Sequence, residues 1–109
     1  MPEFSDELRK LLMLPDENSR DEELFAFVER TAANDPESAV KAAQNIAELY
    51  KRGWALLLCV KALVDIDVPR ALEVAGIIED EYNRLRAKHT IEFTEAKRRK
   101  RSGFDPNLN

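Results

Sequence analysis

A chain of 109 residues has room for one domain with one modest core. With 44% apolar and 35% charged residues it is too apolar for disorder, and its longest apolar run, Trp54 to Val60, falls far short of the roughly 20 residues a membrane span needs. The net charge of −4 hides a split: residues 1–83 carry 9 Lys/Arg against 18 Asp/Glu, whereas residues 84–109 carry 8 against 3.

In chain order the helix signals are dense. Ser5 is placed to cap a first helix bearing Leu8, Leu11 and Leu12. Leu14, Pro15 and Asp16 then read as a break. Ser19 and Glu22 have capping-box spacing, which predicts a second helix carrying Leu24, Phe25, Phe27 and Val28 and fading at Asn34. Asp35 followed by Pro36 restarts the chain, because aspartate caps and proline needs no amide partner at the first helical position. That third helix is expected to run through Ala39, Ala43, Ile46 and Tyr50 to a stop at Gly53. A fourth should begin near Trp54 and end around Asp65. Asp67 caps a fifth, carrying Ala71, Val74, Ala75, Ile78 and Tyr82. Beyond Asn83 nothing opposes helix until Gly103, so a sixth helix or a continuation of the fifth follows. No stretch alternates with period two.

Sliding the chain over itself by 32 positions brings Asp35, Ala39, Ala43, Ile46, Tyr50 and Arg52 onto Asp67, Ala71, Ala75, Ile78, Tyr82 and Arg84. Matched residues three or four apart share a helix face. Small alanines admit a close neighbour, the isoleucines fill the gap, and the tyrosines are expected to turn their apolar side inward. The third copy weakens, with His89 and Glu92 where Leu57 and Val60 stand. These features predict an all-α fold of stacked antiparallel helix pairs, about two and a half repeats and five to six helices, in one domain over residues 1–101 with a polar tail at 102–109. A compact orthogonal six-helix bundle of the death-fold kind is the competing architecture.

The stretch Ile46, Ala47, Glu48, Leu49, Tyr50 resembles the large-small-x-x-Tyr element in the first helix of tetratricopeptide repeats, and Ala62 with Leu63 resembles the Ala-Leu of their second. Asp67, Arg70, Ala71, Leu72 and Ala75 look as much like a degenerate HEAT repeat. The period is 32 rather than 34, and Glu79 replaces the small residue in the second copy. The resemblance covers about residues 20–95. It implies an α-solenoid fragment, a class used mostly for protein–protein contact, and carries over no catalytic residue.

Chemistry-bearing residues are sparse. His89 and Cys59 are the sole histidine and cysteine, which leaves neither a His-rich metal site nor a Cys/His pair on facing elements. Cys59 aligns with Phe27 and reads as inert core. Asp65 and Asp67 lack the glycine turn and distal glutamate of a calcium loop. Glu79, Asp80 and Glu81 read as a solvated face. No phosphate loop is present. Catalytic residues, metals and cofactors are therefore not expected.

Three features remain as candidate partner-binding elements. Trp54 is a core or hinge aromatic that is also a possible contact residue. Ile77 lies about 120° from the Ala71–Ala75–Ile78 stripe, where the first copy has Asn45, and suggests a covered surface. Lys97, Arg98, Arg99, Lys100 and Arg101 form a basic run suited to an acidic partner or nucleic acid, or simply to the negative end of a helix dipole. The expectation is a non-catalytic interaction or adaptor module whose partner is another protein, a second copy included. The alternative is a nucleic-acid-associated protein using 97–101. The acidic amino terminus lacks the order of a secretory signal and the lone cysteine has no disulfide partner, which points to the cytoplasm, or the nucleus of a eukaryote.

Overall fold

The computed structural model describes residues 2–101, with side chains from Ser5 to Lys100. Six helices follow one another: α1 (Pro2–Leu12), α2 (Glu17–Thr31), α3 (Pro36–Gln44), α4 (Leu49–Leu63), α5 (Val68–Gly76) and α6 (Glu81–Arg101). No strand occurs among the described residues, and no helix there is long and apolar enough to cross a membrane. The polar tail expected at 102–109 lies outside the described residues.

Local chemistry accounts for the helix starts. Asp35 and Asp67 each precede a proline-containing first turn and accept a backbone amide three residues on, from Ser38 at 3.2 Å and Arg70 at 3.1 Å. Asp16, rather than Ser19, caps α2: its carboxylate takes the Ser19 amide at 2.8 Å, so the Ser19–Glu22 capping box gives way to a cap one turn earlier. Ser5 likewise lies inside α1, which already starts at Pro2.

The largest departure from expectation is at 45–48. The third helix does not continue to Gly53; α3 stops at Gln44, and α4 starts at Leu49 under a Glu48 cap. The buried carboxylate of Asp21 on α2 accepts the Ala47 amide at 2.8 Å and the Glu48 amide at 3.0 Å, satisfying two donors that a continuous helix would have used internally. Glu48 in turn accepts the amides of Tyr50 at 2.6 Å and Lys51 at 3.0 Å. Ile46 and Ile78 consequently sit in turns rather than within helices. Both are buried, each 1% exposed. The Ile46–Tyr50 stretch thus spans a turn and a helix start.

Gly53, expected as a helix end, lies buried inside α4. A side chain there would meet Asp80 at the start of α6: an added Cβ would stand 1.8 Å from Asp80 Oδ1. Asp80 Oδ2 accepts both the backbone amide and the side-chain amide of Asn83 at 2.9 Å. The Asn83 side chain, fully buried, also donates to Tyr50 O at 3.3 Å. Asp80 is therefore packed against α4, whereas Glu79, which pairs with Arg52, and Glu81 stay exposed, so the solvated-face expectation fails at Asp80 alone.

One hydrogen bond recurs through the chain. The Arg20 guanidinium donates to Leu14 O at 2.9 Å, Arg52 to Ile46 O at 2.9 Å and Arg84 to Ile78 O at 3.2 Å. In each case the arginine is the fourth residue of a helix and the carbonyl belongs to the turn before it. Helix α4 packs against α2, α3, α5 and α6. Its Leu56, Leu57, Cys59 and Val60 join Leu24, Phe27 and Val28 of α2, the alanines of α3 and α5, and Ala87 and Ile91 of α6 in one apolar core.

Candidate interaction surface

Helices α2, α4 and α6 lie side by side, and an aromatic row crosses them. Tyr50 occupies the first turn of α4, and Trp54, four residues later, falls on the same face. Phe25 of α2 meets Trp54 edge to face, with centroids 5.8 Å apart and planes at 80°. Tyr50 meets Trp54 at 6.0 Å and 79°. On the other side Tyr50 stacks on Tyr82 of α6 at 6.1 Å and 21°, and the Arg86 guanidinium lies 5.4 Å above the Tyr82 ring.

The row faces solvent. Trp54 is 45% exposed, Tyr50 43% and Tyr82 56%. The tyrosines do not turn inward as expected: each stands in the first turn of its helix, and the two rings cover each other instead of the core. Phe25, Tyr50 and Trp54 also line a groove of about 360 Å³, together with Glu22, Glu29, Glu48 and Lys51. Three of the seven lining residues are carboxylates, so the groove joins apolar walls to an acidic rim.

Of the sequence-nominated residues, only Trp54 belongs to this surface. Ile77 is 43% exposed, but it caps the end of α5 in a turn rather than standing on a helix face. The basic run occupies the far end of α6, where Lys97 is roughly 22 Å along the axis from Tyr82 at 1.5 Å per residue. Lys97 lies 5.5 Å over the Phe93 ring. Arg98 donates to Val64 O, at the carboxyl end of α4, at 2.9 Å, with Asp65 at 3.7 Å and Glu95 at 4.0 Å. Arg99 and Lys100 are exposed on the same helix end, and Arg101 closes it, its side chain outside the described residues. The three nominated elements thus occupy three separate places.

Cys59 is fully buried, and burial, with a lesser contribution from Glu37, pushes its thiol up to about 12. His89 is exposed on α6. Among the described residues no group of three His, Cys, Asp or Glu side chains could hold a metal ion. Between α3 and α5, Arg70 takes Glu37 in a two-pronged grip at 2.8 and 2.9 Å and holds that carboxyl below its usual range.

Compared with known proteins, the chain matches no family model, no curated protein and no solved structure. The reading of this surface therefore rests on its own chemistry.

Proposed function

We propose that this chain is a non-catalytic, cytoplasmic adaptor, built of helix pairs stacked in the manner of an α-solenoid, which binds another protein across the aromatic row. The observation that carries the reading is the row itself: Phe25, Trp54, Tyr50 and Tyr82 form one contiguous aromatic surface, in which Phe25 is half-buried against the core and the other three are about half exposed. Scattered exposed apolar residues mean little, whereas contiguous aromatic surface is what interfaces are enriched in. The arginine bonds from positions 20, 52 and 84, spaced by 32, support the stacked-pair arrangement. Arg20, Leu24 and Val28 fall on Arg52, Leu56 and Val60 at the same offset of 32 in the sequence, which agrees with this recurrence.

One contact favours a protein over nucleic acid as partner. Arg98 donates to Val64 O at the end of α4, which leaves one cation fewer of the basic run for phosphates. The test immobilises the full chain and a Trp54→Ala/Tyr82→Ala variant and exposes both to lysate of the native host. Proteins retained by the parent should be lost by the variant, whose helicity should match that of the parent. Equal retention by both would overturn the reading.

A further inference from the structure

We propose that the groove between α2 and α4 binds a cationic side chain, a lysine or arginine presented by an extended basic segment of a partner protein. The inference rests on the interaction reading above and specifies the partner's chemistry.

The groove has two components that one kind of side chain satisfies together. Its walls are Phe25, Tyr50 and Trp54, with Phe25 and Tyr50 each nearly perpendicular to the indole. Tyr82 covers one face of Tyr50, yet Tyr50 and Trp54 remain 43% and 45% exposed, and an aromatic face carries the negative lobe of its quadrupole. Its rim is Glu22 and Glu29, both exposed on α2, and Glu48, whose oxygens are held by the Tyr50 and Lys51 amides. Lys51 offsets one of those three charges. A purely apolar occupant would strip water from the carboxylates without replacing it, and an anion would be repelled. A lysine or arginine lays its aliphatic stem on the rings and keeps its charged head at the rim. The surrounding body favours the same sign of partner, since residues 1–83 hold twice as many acidic as basic side chains.

The chain itself supplies a precedent one helix further on. Tyr82 and Arg86 stand 32 residues after Tyr50 and Trp54, and there a guanidinium of the protein's own already covers the tyrosine ring. On α4 the corresponding residue is Trp54, which widens the aromatic wall without providing a cation.

Trp54 is the single tryptophan, so its emission reports directly on the groove. The full chain is titrated with a capped hexa-arginine peptide, and with hexaglutamate and glycine-serine peptides of equal length, at low and at physiological salt. A saturable emission change with the arginine peptide alone, weakening as salt rises, is expected. The variant Glu22→Gln/Glu29→Gln keeps the fluorophore and should bind about ten-fold more weakly, the order expected from removing a charge partner of a partly desolvated cation. Phe25→Leu, which keeps bulk but removes a ring face, should weaken binding by about three- to ten-fold. Glu73→Gln/Glu92→Gln changes the net charge equally at positions that do not line the groove and should leave affinity within about two-fold, the range of a diffuse charge effect at exposed sites. No saturable change, an equal response to the acidic or neutral peptide, or equal weakening by the two double variants would overturn the proposal. If the lysate partner still depends on Trp54 while the arginine peptide fails to bind, the cation site falls and the interaction reading stands.

Discussion

Replacing Gly53 by alanine sets two opposed effects against each other. In a helix interior alanine is favoured over glycine by about 1 kcal/mol, so an unobstructed site would be stabilised. Gly53 is obstructed: the added Cβ would stand 1.8 Å from Asp80 Oδ1, 3.0 Å from Asp80 Cγ and 3.2 Å from Asn83 Nδ2. Asp80 is too short to bend away and keep its bonds, so it must rotate out. That removes the acceptor for the Asn83 amide at the start of α6, a cap worth about 1 kcal/mol. It also leaves the buried Asn83 side chain with only the 3.3 Å bond to Tyr50 O, and stranding a buried polar group costs about 1–3 kcal/mol. The losses exceed the gain, and Gly53→Ala should destabilise by about 1–3 kcal/mol, roughly 4–8 °C in Tm for each kcal/mol. Urea unfolding followed by far-ultraviolet circular dichroism measures this. In an Asp80→Ala background the same alanine should become neutral or stabilising by up to about 1 kcal/mol. A midpoint unchanged or raised by Gly53→Ala alone, or an equal loss with and without Asp80, would refute the reasoning.

Ile46→Ala and Ile78→Ala should each cost about 2–5 kcal/mol in the same assay, because both side chains are buried although they lie in turns. Ile77→Asp, one residue away, should change stability by about 0.5 kcal/mol or less, since Ile77 is exposed at a helix end; a loss of core size would show that it is packed. Asp35→Ala should cost about 1 kcal/mol near neutrality through loss of the α3 cap. Hydrogen bonds from the Ser38 hydroxyl and amide hold the Asp35 carboxyl below its ordinary value. The folded value being the lower one, this stabilisation is complete above the unfolded carboxylate pKa of about 3.9 and vanishes as pH falls through the folded value. Unfolding midpoints of parent and variant should therefore converge below about pH 4; a gap unchanged at acid pH would show that the carboxylate charge is not involved.

What could be read from the sequence was what is decided locally. The Asp35–Pro36 start is written within a few residues, as is the Asp67 cap before Pro69, and both helices begin there. The burial of Ile46, Ile78 and Cys59 followed from the apolar pattern and the 32-residue match. The break at 45–48 was not legible, since no glycine or proline marks it. It is enforced from 26 and 27 residues away by the carboxylate of Asp21. Gly53 misled for a related reason: glycine at a helix end and glycine under a close neighbour look alike until Asp80 is in place. Of the aromatic surface, the sequence showed Trp54 as a contact candidate and a matched pair of tyrosines, but not their meeting. Which way an amphipathic ring turns depends on the neighbouring helix, and here Tyr50 and Tyr82 chose each other. Phe25 and the glutamates of the groove gave no signal of their own, because their meeting with Trp54 is a product of how α2 lies on α4.

The order in which the helices touch bears on how quickly the chain can find its fold. The substantial contacts join elements one or two places apart along the backbone, from α1 with α2 to α4 with α6. Each therefore closes a short loop, and the entropy surrendered in closing it is recovered at once by packing. Among the described residues no strand has to wait for a distant partner, so the search is local, and rapid folding is the kinetic counterpart of that layout. The same layout makes α4 the keystone: among the described residues it is the one helix packed against four others, and collapse that includes it commits the helices before and after it alike.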